Sequence, residues 1–301
     1  MEINSEKTGI CTVTSSEFVP GTLVLIQSFL NHNPWFDGDI VIISDGLEPG
    51  QVDLFEIFPK VVFHRPGEDL LLQIGHLCNA LPGIIPRRKR FYSIEVFNLE
   101  GYDRLFFFDS DMLVMGDISE LLSYQELLLA CSDQPNRHAG KVRDRSTFKR
   151  ISADGIGQRE VLRRTFNAGF MVPGKPLLNQ HTYEGLKKLI HMDTFREVRT
   201  HNTDQVVLNL LFDGKVRFLD FTYNMIVSKW SEFSATQKID PADVKILHFT
   251  GSYKPWETGV KMNGLNDDPV IKAFYDAWFA ENDEVTAKIS RKNSSRRFAQ
   301  I

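Results

Sequence analysis

Short runs of apolar residues alternate along this chain with segments in which apolar residues recur every three or four positions. The short runs predict buried strands, and the periodic segments predict amphipathic helices. The predicted strands cover residues 9–14, 39–44, 61–64, 104–109, 127–132, 166–172 and 244–250. The predicted helices cover residues 21–32, 51–58, 90–99, 183–192, 204–212 and 268–282. This alternation favours an α/β fold with a mostly parallel central sheet and helices on both faces.

One predicted strand ends in two acidic residues. Residues 106–117 read FFFDSDMLVMGD, so Asp109 and Asp111 follow three phenylalanines with one residue between them. In an extended chain residues i and i+2 point to the same side, and the two carboxylates therefore converge. Such charges repel one another unless a partner joins them, and Mg²⁺ or Mn²⁺ favours carboxylate oxygens. The pair also lies at a strand's carboxyl end, where ligands of parallel sheets bind. An ordinary aspartate pair in a turn is the alternative.

A second polar group follows a late predicted strand. Residues 248–256 read HFTGSYKPW, and His248 comes directly after the apolar run VKIL. Gly251 allows close approach of the backbone to a ligand, and Lys254 precedes a Pro-Trp pair that stiffens the turn. An imidazole, an accessible backbone and an ammonium group within nine residues suit a metal-bound diphosphate. A structural histidine at a strand end is the alternative for His248 taken alone.

Composition narrows the class of protein without identifying a function. The chain has 301 residues, 42% of them hydrophobic, and a formal net charge of −4. It is long enough to bury a full core, and its charge argues against a dedicated nucleic-acid binder. Because the sequence holds no apolar run of about 18 residues and no apolar signal segment, a cytoplasmic protein is expected. Its three cysteines are expected to be reduced and mostly buried: Cys11, Cys78 and Cys131.

Five segments, in this order, resemble motifs of one known family. They are TVTSSEFVPGTLVLIQSF (12–29), FNLEGYDRLFFFDSDMLVMGDISELL (97–122), FNAGFMV (166–172), TDQVVLN (203–209) and HFTGSYKPW. The chain thereby resembles glycosyltransferase family 8, the group that contains glycogenin and the bacterial lipooligosaccharide α-galactosyltransferases. The resemblance implies the GT-A fold of nucleotide-diphospho-sugar transferases. It also implies a Mn²⁺-dependent, retaining hexosyltransferase that moves glucose, galactose or N-acetylglucosamine from a UDP-sugar to a glycan hydroxyl.

The resemblance also implies roles for individual residues. The metal, Mn²⁺ or Mg²⁺, would be held by three side chains: Asp109, Asp111 and His248. The uridine pocket would be lined by three residues, the last of them stacking on the base: Thr12, Thr14 and Phe18. The diphosphate and its neighbouring sugar or ribose would be contacted by Gly251, Lys254 and the backbone of Ser110. The donor sugar would be surrounded by four residues, the last nearest the anomeric carbon: Asp133, Asn167, Asp204 and Gln205.

The expected chemistry needs stabilisation of two opposite charges. As the sugar–phosphate bond breaks, a divalent cation and Lys254 would stabilise the anionic UDP. Asp204 and the carbonyl oxygen of Gln205 would stabilise the positively charged sugar. For retention of configuration, front-face attack with a donor phosphate oxygen accepting the acceptor's proton is favoured over a covalent intermediate on either residue.

One position departs from the family's pattern. Family members usually carry Lys or Arg at a position that aligns with Ser93 here. Either the nearby basic run 87–90 supplies the lost charge, with Arg90 at the donor, or the donor pocket is rebuilt.

Other functions remain open from the sequence. An Asp-x-Asp pair at a strand end also suits a haloacid-dehalogenase-type phosphatase, with 266–268 as its distant acidic motif. Leu113, the mid-chain position of the pair and the otherwise unexplained 248–256 segment argue against that reading. Residues 169–176 (GFMVPGKP) imitate a phosphate-binding P-loop, but Pro176 replaces the required Ser or Thr. A non-catalytic carbohydrate-binding module and a self-glucosylating, glycogenin-like primer are further alternatives. The primer would need a tyrosine presented by a second copy, so a homodimer belongs among the expected partners.

The predicted organisation is a single GT-A catalytic domain over residues 8–283 with a basic tail over 284–301. Within the domain, residues 136–164 hold nine Lys or Arg against three Asp or Glu. This segment is either a solvated insertion or a basic lid over an anionic ligand. Residues 288–301 of this tail are expected to be disordered and to give peripheral contact with an inner membrane face, where the donor sugar would pass to a glycan or glycolipid acceptor.

Overall fold

The fold of this chain is seen in a computed structural model. The structure describes residues 7–133, 135–138, 141–144, 149–151, 158–160, 165–197, 203–251, 254–257 and 268–298. The strands in these residues are β1 Thr8–Val13, β2 Asp39–Ile43, β3 Val61–His64, β4 Arg104–Asp109, β5 Met112–Val114, β6 Leu128–Ser132, β7 Pro135–His138, β8 Lys141–Asp144, β9 Lys149–Ile151, β10 Gln158–Glu160, β11 Phe166–Pro173, β12 Val216–Leu219, β13 Met225–Ile226 and β14 Ile246–His248.

The α-helices in the same residues are α1 Val19–His32, α2 Pro49–Val52, α3 Glu68–Ala80, α4 Gln180–Leu189, α5 Met192–Glu197, α6 Asp204–Leu211, α7 Trp230–Gln237 and α8 Pro269–Phe298. Several connections are 3₁₀-helical, and the long one over Pro82–Asn98 forms part of the site described below. The sequence predicts an α-helix for residues 90–99. The structure instead has a 3₁₀ helix there, the end of a stretch that begins at Pro82 and contains Pro86.

The main sheet has seven strands in the order β12-β6-β11-β4-β1-β2-β3. Only β11 runs antiparallel to its neighbours, and the other pairs in this sheet are parallel. The mostly parallel sheet predicted from the alternation of strands and helices is therefore confirmed. Because β11 runs the opposite way, its first residues lie at the edge where β1 and β4 end.

The central strand β4 is apolar because both of its faces are buried. Phe106 and Phe108 pack into the core on the side of α1 and α8. Leu105 and Phe107 pack on the opposite side, against α3, α4, α6 and the Pro82–Asn98 stretch. A strand covered on both faces has no polar side, so an unbroken apolar run is expected of it. Burial of each phenylalanine contributes roughly 2–3 kcal/mol of transfer free energy.

A small second sheet joins two distant parts of the chain. It has the order β13-β14-β5, with β14 antiparallel to β5. In this pairing His248 lies opposite Met112, and the backbone N–H of Phe249 donates to the carbonyl oxygen of Asp111 at 2.9 Å. The sheet therefore brings the end of β14 to the residues that follow β4.

The C-terminal segment is helical, in contrast to the disorder expected of it. Helix α8 continues without a break to Phe298. Val285 is buried, and the Nζ of Lys292 donates to a carboxylate oxygen of Glu56 at 2.5 Å. The Nε2 of Gln27 on α1 donates to Glu284 at 3.1 Å. The expectation of disorder from residue 288 is thus wrong as far as Phe298, because the chain stays helical to that residue and contacts the rest of the protein as far as Lys292.

Two further features concern the sequence-based expectations. Of the basic insertion predicted at 136–164, the structure describes only the backbone of β7–β8 and β9–β10, each an antiparallel pair. The rest of that segment lies outside the described residues.

Among the described helices none has the length and apolar character needed to cross a membrane.

Candidate functional site

A cleft of about 950 Å³ opens where β1 and β4 end and β11 begins. Most residues expected at the site line it: Phe18, Arg90, Asp109, Ser110, Asp111, Asp133, Asn167, Asp204, Gln205, His248, Gly251 and Lys254. The structure therefore brings together segments that are far apart in the sequence. Two of the expected residues, Thr12 and Thr14, are buried and do not belong to the lining.

The floor of the cleft holds a cluster of two carboxylates and one imidazole. One ligand atom from each of Asp109, Asp111 and His248 lies within 4.8 Å of the others. The Nε2 atom of His248 is 3.1 Å from Oδ1 of Asp111 and 3.7 Å from Oδ2 of Asp109. Two carboxylate oxygens and one imidazole nitrogen form a donor set that suits Mn²⁺ and Mg²⁺.

The space beside this cluster is kept open by a glycine. A Cβ atom on Gly169 would lie 2.5 Å from Cε1 of His248 and 3.0 Å from Oδ2 of Asp109. The first distance is shorter than real Cβ contacts and the second is tight, so a side chain at this position would displace the imidazole and crowd the carboxylate. The three ligand groups therefore fit a divalent cation, both in their chemistry and in the room left next to them.

The two aspartates have opposite electrostatic environments. Burial of the Asp109 carboxyl group and the negative charge of the neighbouring Asp111 raise the pKa of Asp109 to about 6. Burial opposes ionisation of Asp111 as well, but His248 and Lys254 together hold its pKa well below the usual range. Asp111 is therefore ionised throughout the neutral range, and Asp109 is the carboxyl group that protons and a metal ion compete for.

Lys254 supplies the positive charge closest to the cluster. Its Nζ donates to Oδ2 of Asp111 at 2.5 Å and to the carbonyl oxygen of Phe249 at 2.7 Å. The same atom lies 5.7 Å from the ring centroid of Phe18. Gly251 has a φ of +96°, a left-handed conformation that glycine adopts without strain. This turn directs the chain back so that Lys254 reaches the cleft.

The expected nucleoside end of the cleft is aromatic. The rings of Phe18 and Trp256 meet edge to face, with centroids 5.5 Å apart. The hydroxyl groups of Thr14 and Thr22 are hydrogen-bonded to each other at 2.6 Å, which occupies the Thr14 side chain inside the protein. Phe18 is therefore the member of the predicted uridine group whose side chain lies at the cleft. The hydroxyl group of Ser110 donates to the carbonyl oxygen of Val13 at 2.9 Å, which leaves its backbone for a ligand.

Helix α6 presents two polar side chains at its first turn. Ser93 and Thr203 donate their hydroxyl groups to the carboxylate of Asp204, at 3.0 and 3.1 Å. Burial raises the pKa of Asp204, and Arg90 and these two hydroxyl groups oppose that rise. The Oε1 of Gln205 accepts from the backbone N–H of Ala168 at 3.4 Å, and its buried Nε2 has no hydrogen-bond partner among the described residues. Gln205 is part of the cleft lining, and its amide nitrogen retains the capacity to donate a hydrogen bond.

The basic run 87–90 forms one wall of the cleft. Lys89 is paired with Asp45 at 2.9 Å, and Arg90 is exposed. The positive charge of Arg90 lowers the pKa of both Asp109 and Asp204. Ser93, at the position where the resemblance expects a basic residue, instead holds Asp204 by a hydrogen bond. The structure is therefore consistent with a charge that has moved by one 3₁₀ turn along the chain.

Two residues of the site, Asn224 and Lys229, belong to none of the motifs recognised in the sequence. Lys229 lines the cleft, and Asn224 is buried behind His248. The Oδ1 of Asn224 accepts from Nδ1 of His248 at 2.8 Å. Asn224 ends a 3₁₀ turn just before β13, and Lys229 ends the 3₁₀ turn just after it. A polar residue in such a connection is a weak signal because most of them belong to ordinary turns.

The two sequence motifs for other phosphate chemistry have different places in the fold. The P-loop-like segment continues β11 to its far end, where Lys175 pairs with Asp103 at 2.8 Å. Its Gly174 and Lys175 therefore lie at the sheet edge opposite the cleft, and only Gly169 belongs to the cleft lining. Of the proposed distant acidic motif, Asp268 accepts from the backbone N–H of Val270 at the start of α8, and residues 266–267 lie outside the described residues.

Comparisons with known proteins identify the family of the chain. The family model described as glycosyl transferase family 8 matches residues 10–259. A lipopolysaccharide 1,2-glucosyltransferase of Escherichia coli K12 is 24% identical over 266 residues, covering 84% of this chain and 73% of that protein. A lipopolysaccharide 1,3-galactosyltransferase of Salmonella typhimurium is 30% identical over 173 residues, covering 56% of this chain and 48% of that protein.

Solved structures are similar over a larger part of the chain. The galactosyltransferase LgtC, solved in complex with donor and acceptor sugar analogues, gives a TM-score of 0.65 at 16% identity. The match covers 90% of this chain and 95% of LgtC. At this identity the likeness concerns the fold alone.

Proposed function

The chain belongs to glycosyltransferase family 8 and has the expected GT-A fold. We propose that it is a Mn²⁺-dependent hexosyltransferase that uses a UDP-sugar. Its donor would be UDP-glucose, UDP-galactose or UDP-N-acetylglucosamine. The observation that carries the proposal is the cluster of Asp109, Asp111 and His248 next to Lys254 on the cleft floor. A cation site beside an ammonium group is suited to a diphosphate and is not needed for binding a neutral sugar.

The proposed roles of the protein groups follow from their positions. Asp109, Asp111 and His248 would hold the cation, which, when bound, would act as a Lewis acid toward the diphosphate. Lys254 would bind and neutralise the UDP leaving group. Asp204, held by two hydroxyl groups, would stabilise positive charge on the sugar, and the Nε2 of Gln205 would bind an oxygen of the donor.

We propose retention of configuration by front-face attack. In this step the acceptor hydroxyl oxygen bonds to the anomeric carbon as the sugar–phosphate bond breaks. The bonding electrons leave with UDP, and a phosphate oxygen of the donor takes the hydroxyl proton. A covalent intermediate on Gln205 is disfavoured because an amide oxygen is a poor nucleophile and this one already accepts from Ala168.

The acceptor is proposed to be a saccharide of a surface glycan or glycolipid. Two relatives have names that state transfer to lipopolysaccharide, which supports this acceptor class. The mouth of the cleft carries the exposed side chains of Ile85, Pro86 and Arg88, which offer apolar and cationic surface outside the donor region. The basic end of α8 would give peripheral contact with an inner membrane face. It carries Lys288, Arg291 and Lys292.

Self-glucosylation on tyrosine has less support than transfer to a separate glycan. Of the seven tyrosines in the chain, five are buried: Tyr92, Tyr102, Tyr183, Tyr223 and Tyr275. Tyr124 is half-buried, and Tyr253 lies outside the described residues. Five of these hydroxyl groups would thus need local unfolding to reach the cleft of a second copy in a homodimer.

The test is turnover of a UDP-sugar panel with Mn²⁺, Mg²⁺ or EDTA. We expect slow hydrolysis of one UDP-hexose with Mn²⁺, its loss in EDTA, and faster turnover when the correct acceptor is added. Asp111→Asn should lower turnover by at least about 100-fold, because a charge and a ligand are lost together. Asp37→Asn, which removes an exposed partner of Lys60, is the matched control. Full turnover in EDTA would contradict the metal site, and release of phosphate from p-nitrophenyl phosphate would favour the phosphatase alternative.

A further inference from the structure

The backbone N–H of Gly169 determines the orientation of the Asn167 side chain. This N–H lies 2.9 Å from the Asn167 atom assigned as Oδ1. A backbone N–H can only donate, so the atom facing it must be the amide oxygen. The amide nitrogen of Asn167 therefore points away from Gly169, and Asn167 is a half-buried residue of the cleft lining.

The same oxygen determines the orientation of Asn224. It lies 2.9 Å from the nearer atom of the Asn224 amide. Because an oxygen without hydrogen can only accept, that nearer atom must be the nitrogen of Asn224. The oxygen of Asn224 is then turned to the opposite side, where it lies 2.8 Å from Nδ1 of His248.

The oxygen of Asn224 in turn determines where neutral His248 carries its proton. An amide oxygen accepts, so Nδ1 of His248 must be the protonated nitrogen. Nε2 is then left with a lone pair, and this is the atom that faces Asp109 and Asp111. The chain of donors and acceptors admits no other assignment, since its first donor is a backbone group.

We propose that Asn224 and Asn167 are positioning residues that form a hydrogen-bond relay between the two halves of the site. At one end the relay holds His248 with Nε2 ready for the metal. At the other end it directs the amide nitrogen of Asn167 into the cleft as a donor toward an oxygen of the UDP-sugar. Asn224 is 2% exposed and His248 is 3% exposed, so water does not substitute for either member. This inference rests on the proposed function.

Loss of the Asn224 side chain should weaken metal binding. In Asn224→Ala the imidazole loses the acceptor that fixes its ring and its tautomer. Partners of this kind typically contribute 10- to 100-fold to metal affinity, and we expect a loss of about that size for Mn²⁺. The measurement is the free Mn²⁺ signal in electron paramagnetic resonance, recorded with and without UDP, which needs no turnover.

Two conservative variants separate the ends of the relay. In Asn224→Asp a carboxylate still accepts from Nδ1 of His248 but cannot donate to Asn167. In Asn167→Asp a carboxylate still accepts from Gly169 and Asn224 but has no amide nitrogen for the cleft. We expect both to keep Mn²⁺ affinity within about threefold and to bind the UDP-sugar about five- to tenfold more weakly. If the two asparagines had a merely structural role, the variants would not weaken UDP-sugar binding while keeping Mn²⁺ affinity.

The control is Asn31→Ala, an exposed asparagine of α1 that donates to Glu281 and Glu284. It should change neither affinity, and thermal unfolding of each metal-free variant shows whether the fold is kept. If Asn224→Ala does not fold, Asn224→Asp, which keeps the buried hydrogen bond to His248, supplies the readout. Wild-type Mn²⁺ affinity in folded Asn224→Ala, or unchanged UDP-sugar affinity in both aspartate variants, would overturn the relay. A wild-type protein that binds no Mn²⁺ at all would overturn the proposed function and the relay with it.

Discussion

Lys254 and Asp111 form an ion pair at 2.5 Å, with side chains only 9% and 11% exposed. The pair joins the charge expected to bind the leaving group directly to a carboxylate expected to bind the metal. Its two members therefore stabilise the protein before any ligand arrives. Ligand binding must redistribute this charge, since the same carboxylate and the same ammonium group would then also serve the cation and the diphosphate.

Lys254→Met should destabilise the metal-free protein and should make its stability more dependent on Mn²⁺. Removal of one member of a buried ion pair leaves an uncompensated charge and costs about 3–5 kcal/mol, of which contact with His248 recovers part. Urea unfolding with and without Mn²⁺ measures both effects. The control is Lys175→Met, which removes the exposed partner of Asp103 and should cost less than about 1 kcal/mol. Equal stabilisation of wild type and Lys254→Met by Mn²⁺ would contradict the prediction.

Asp109→Asn should stabilise the metal-free protein at pH 7, and the gain should be about half as large at pH 5. The pKa of Asp109 is raised to about 6 in the folded protein, whereas an unfolded aspartate has a pKa of about 3.9. Between these values the folded state holds a proton that the unfolded state has released, so this group costs stability progressively as the pH rises from about 4 to about 6, and the cost is complete above pH 6. The side chain is 44% exposed, so solvent screening limits the gain to about 1 kcal/mol. Chemical unfolding at both pH values is the measurement, and a gain that does not shrink at pH 5 would argue against it.

Gly169→Ala should weaken Mn²⁺ binding by at least about tenfold and cost about 1–3 kcal/mol of stability. The added methyl group would lie within 3.0 Å of His248 and Asp109, and overpacking of this kind forces neighbours out of place. Mn²⁺ titration and urea unfolding measure the two effects. The matched control is Gly185→Ala in the middle of α4, where the nearest atom would lie at 3.5 Å. This variant should be neutral or up to about 1 kcal/mol more stable. Normal Mn²⁺ affinity in Gly169→Ala would show that the space has no role.

Glu95→Gln should destabilise the protein at pH 7 by about 2–3 kcal/mol. Its fully buried carboxylate accepts from Gly67, Asn98, Tyr183 and His64 at 2.7 to 3.1 Å. Burial opposes ionisation, but these donors lower the pKa of Glu95 below its usual value. A lowered pKa means that the stabilisation is present above about pH 4.5 and is lost as the pH falls through the folded pKa.

The stability difference between wild type and Glu95→Gln should accordingly shrink in acid. The control for this pair of measurements is Glu68→Gln, which removes an exposed partner of Arg65 and should cost less than about 0.5 kcal/mol. A constant difference from pH 7 down to pH 3 would contradict the assigned charge state.

The parts of the fold with strong local signals were predictable from the sequence. The apolar run of β4 and the helix patterns of α1 and α6 depend on residues close in the chain. Helix α3 was missed although Leu70, Ile74, Leu77 and Cys78, all buried, have helical spacing. Strand β5 was not predicted because three residues after an aspartate pair do not form a recognisable period, and it exists through its pairing with β14.

The candidate site was predictable only in its chemical components. The carboxylates, His248 and Lys254 could be selected because each follows an apolar run and belongs to a recognisable motif. Both faces of β1 are covered, by the two halves of the core that contain Ile10 and Cys11, and Thr12 and Thr14 are buried at its end. The expectation that they line the cleft did not allow for this cover. Asn224 could not be identified from the sequence, because its hydrogen-bond partners lie on β11 and β14, far away in the chain, and the residues next to it form no motif.

The place of β14 in the chain has a consequence for the synthesis of the protein. All seven strands of the main sheet end by Leu219, and both metal-site aspartates are made long before Ile246. A chain interrupted between these points would hold every element of the large sheet and still lack the imidazole and Lys254. The proposed cation site would thus be completed only with β14, and a chain that ended before Ile246 would lack one of its three ligands.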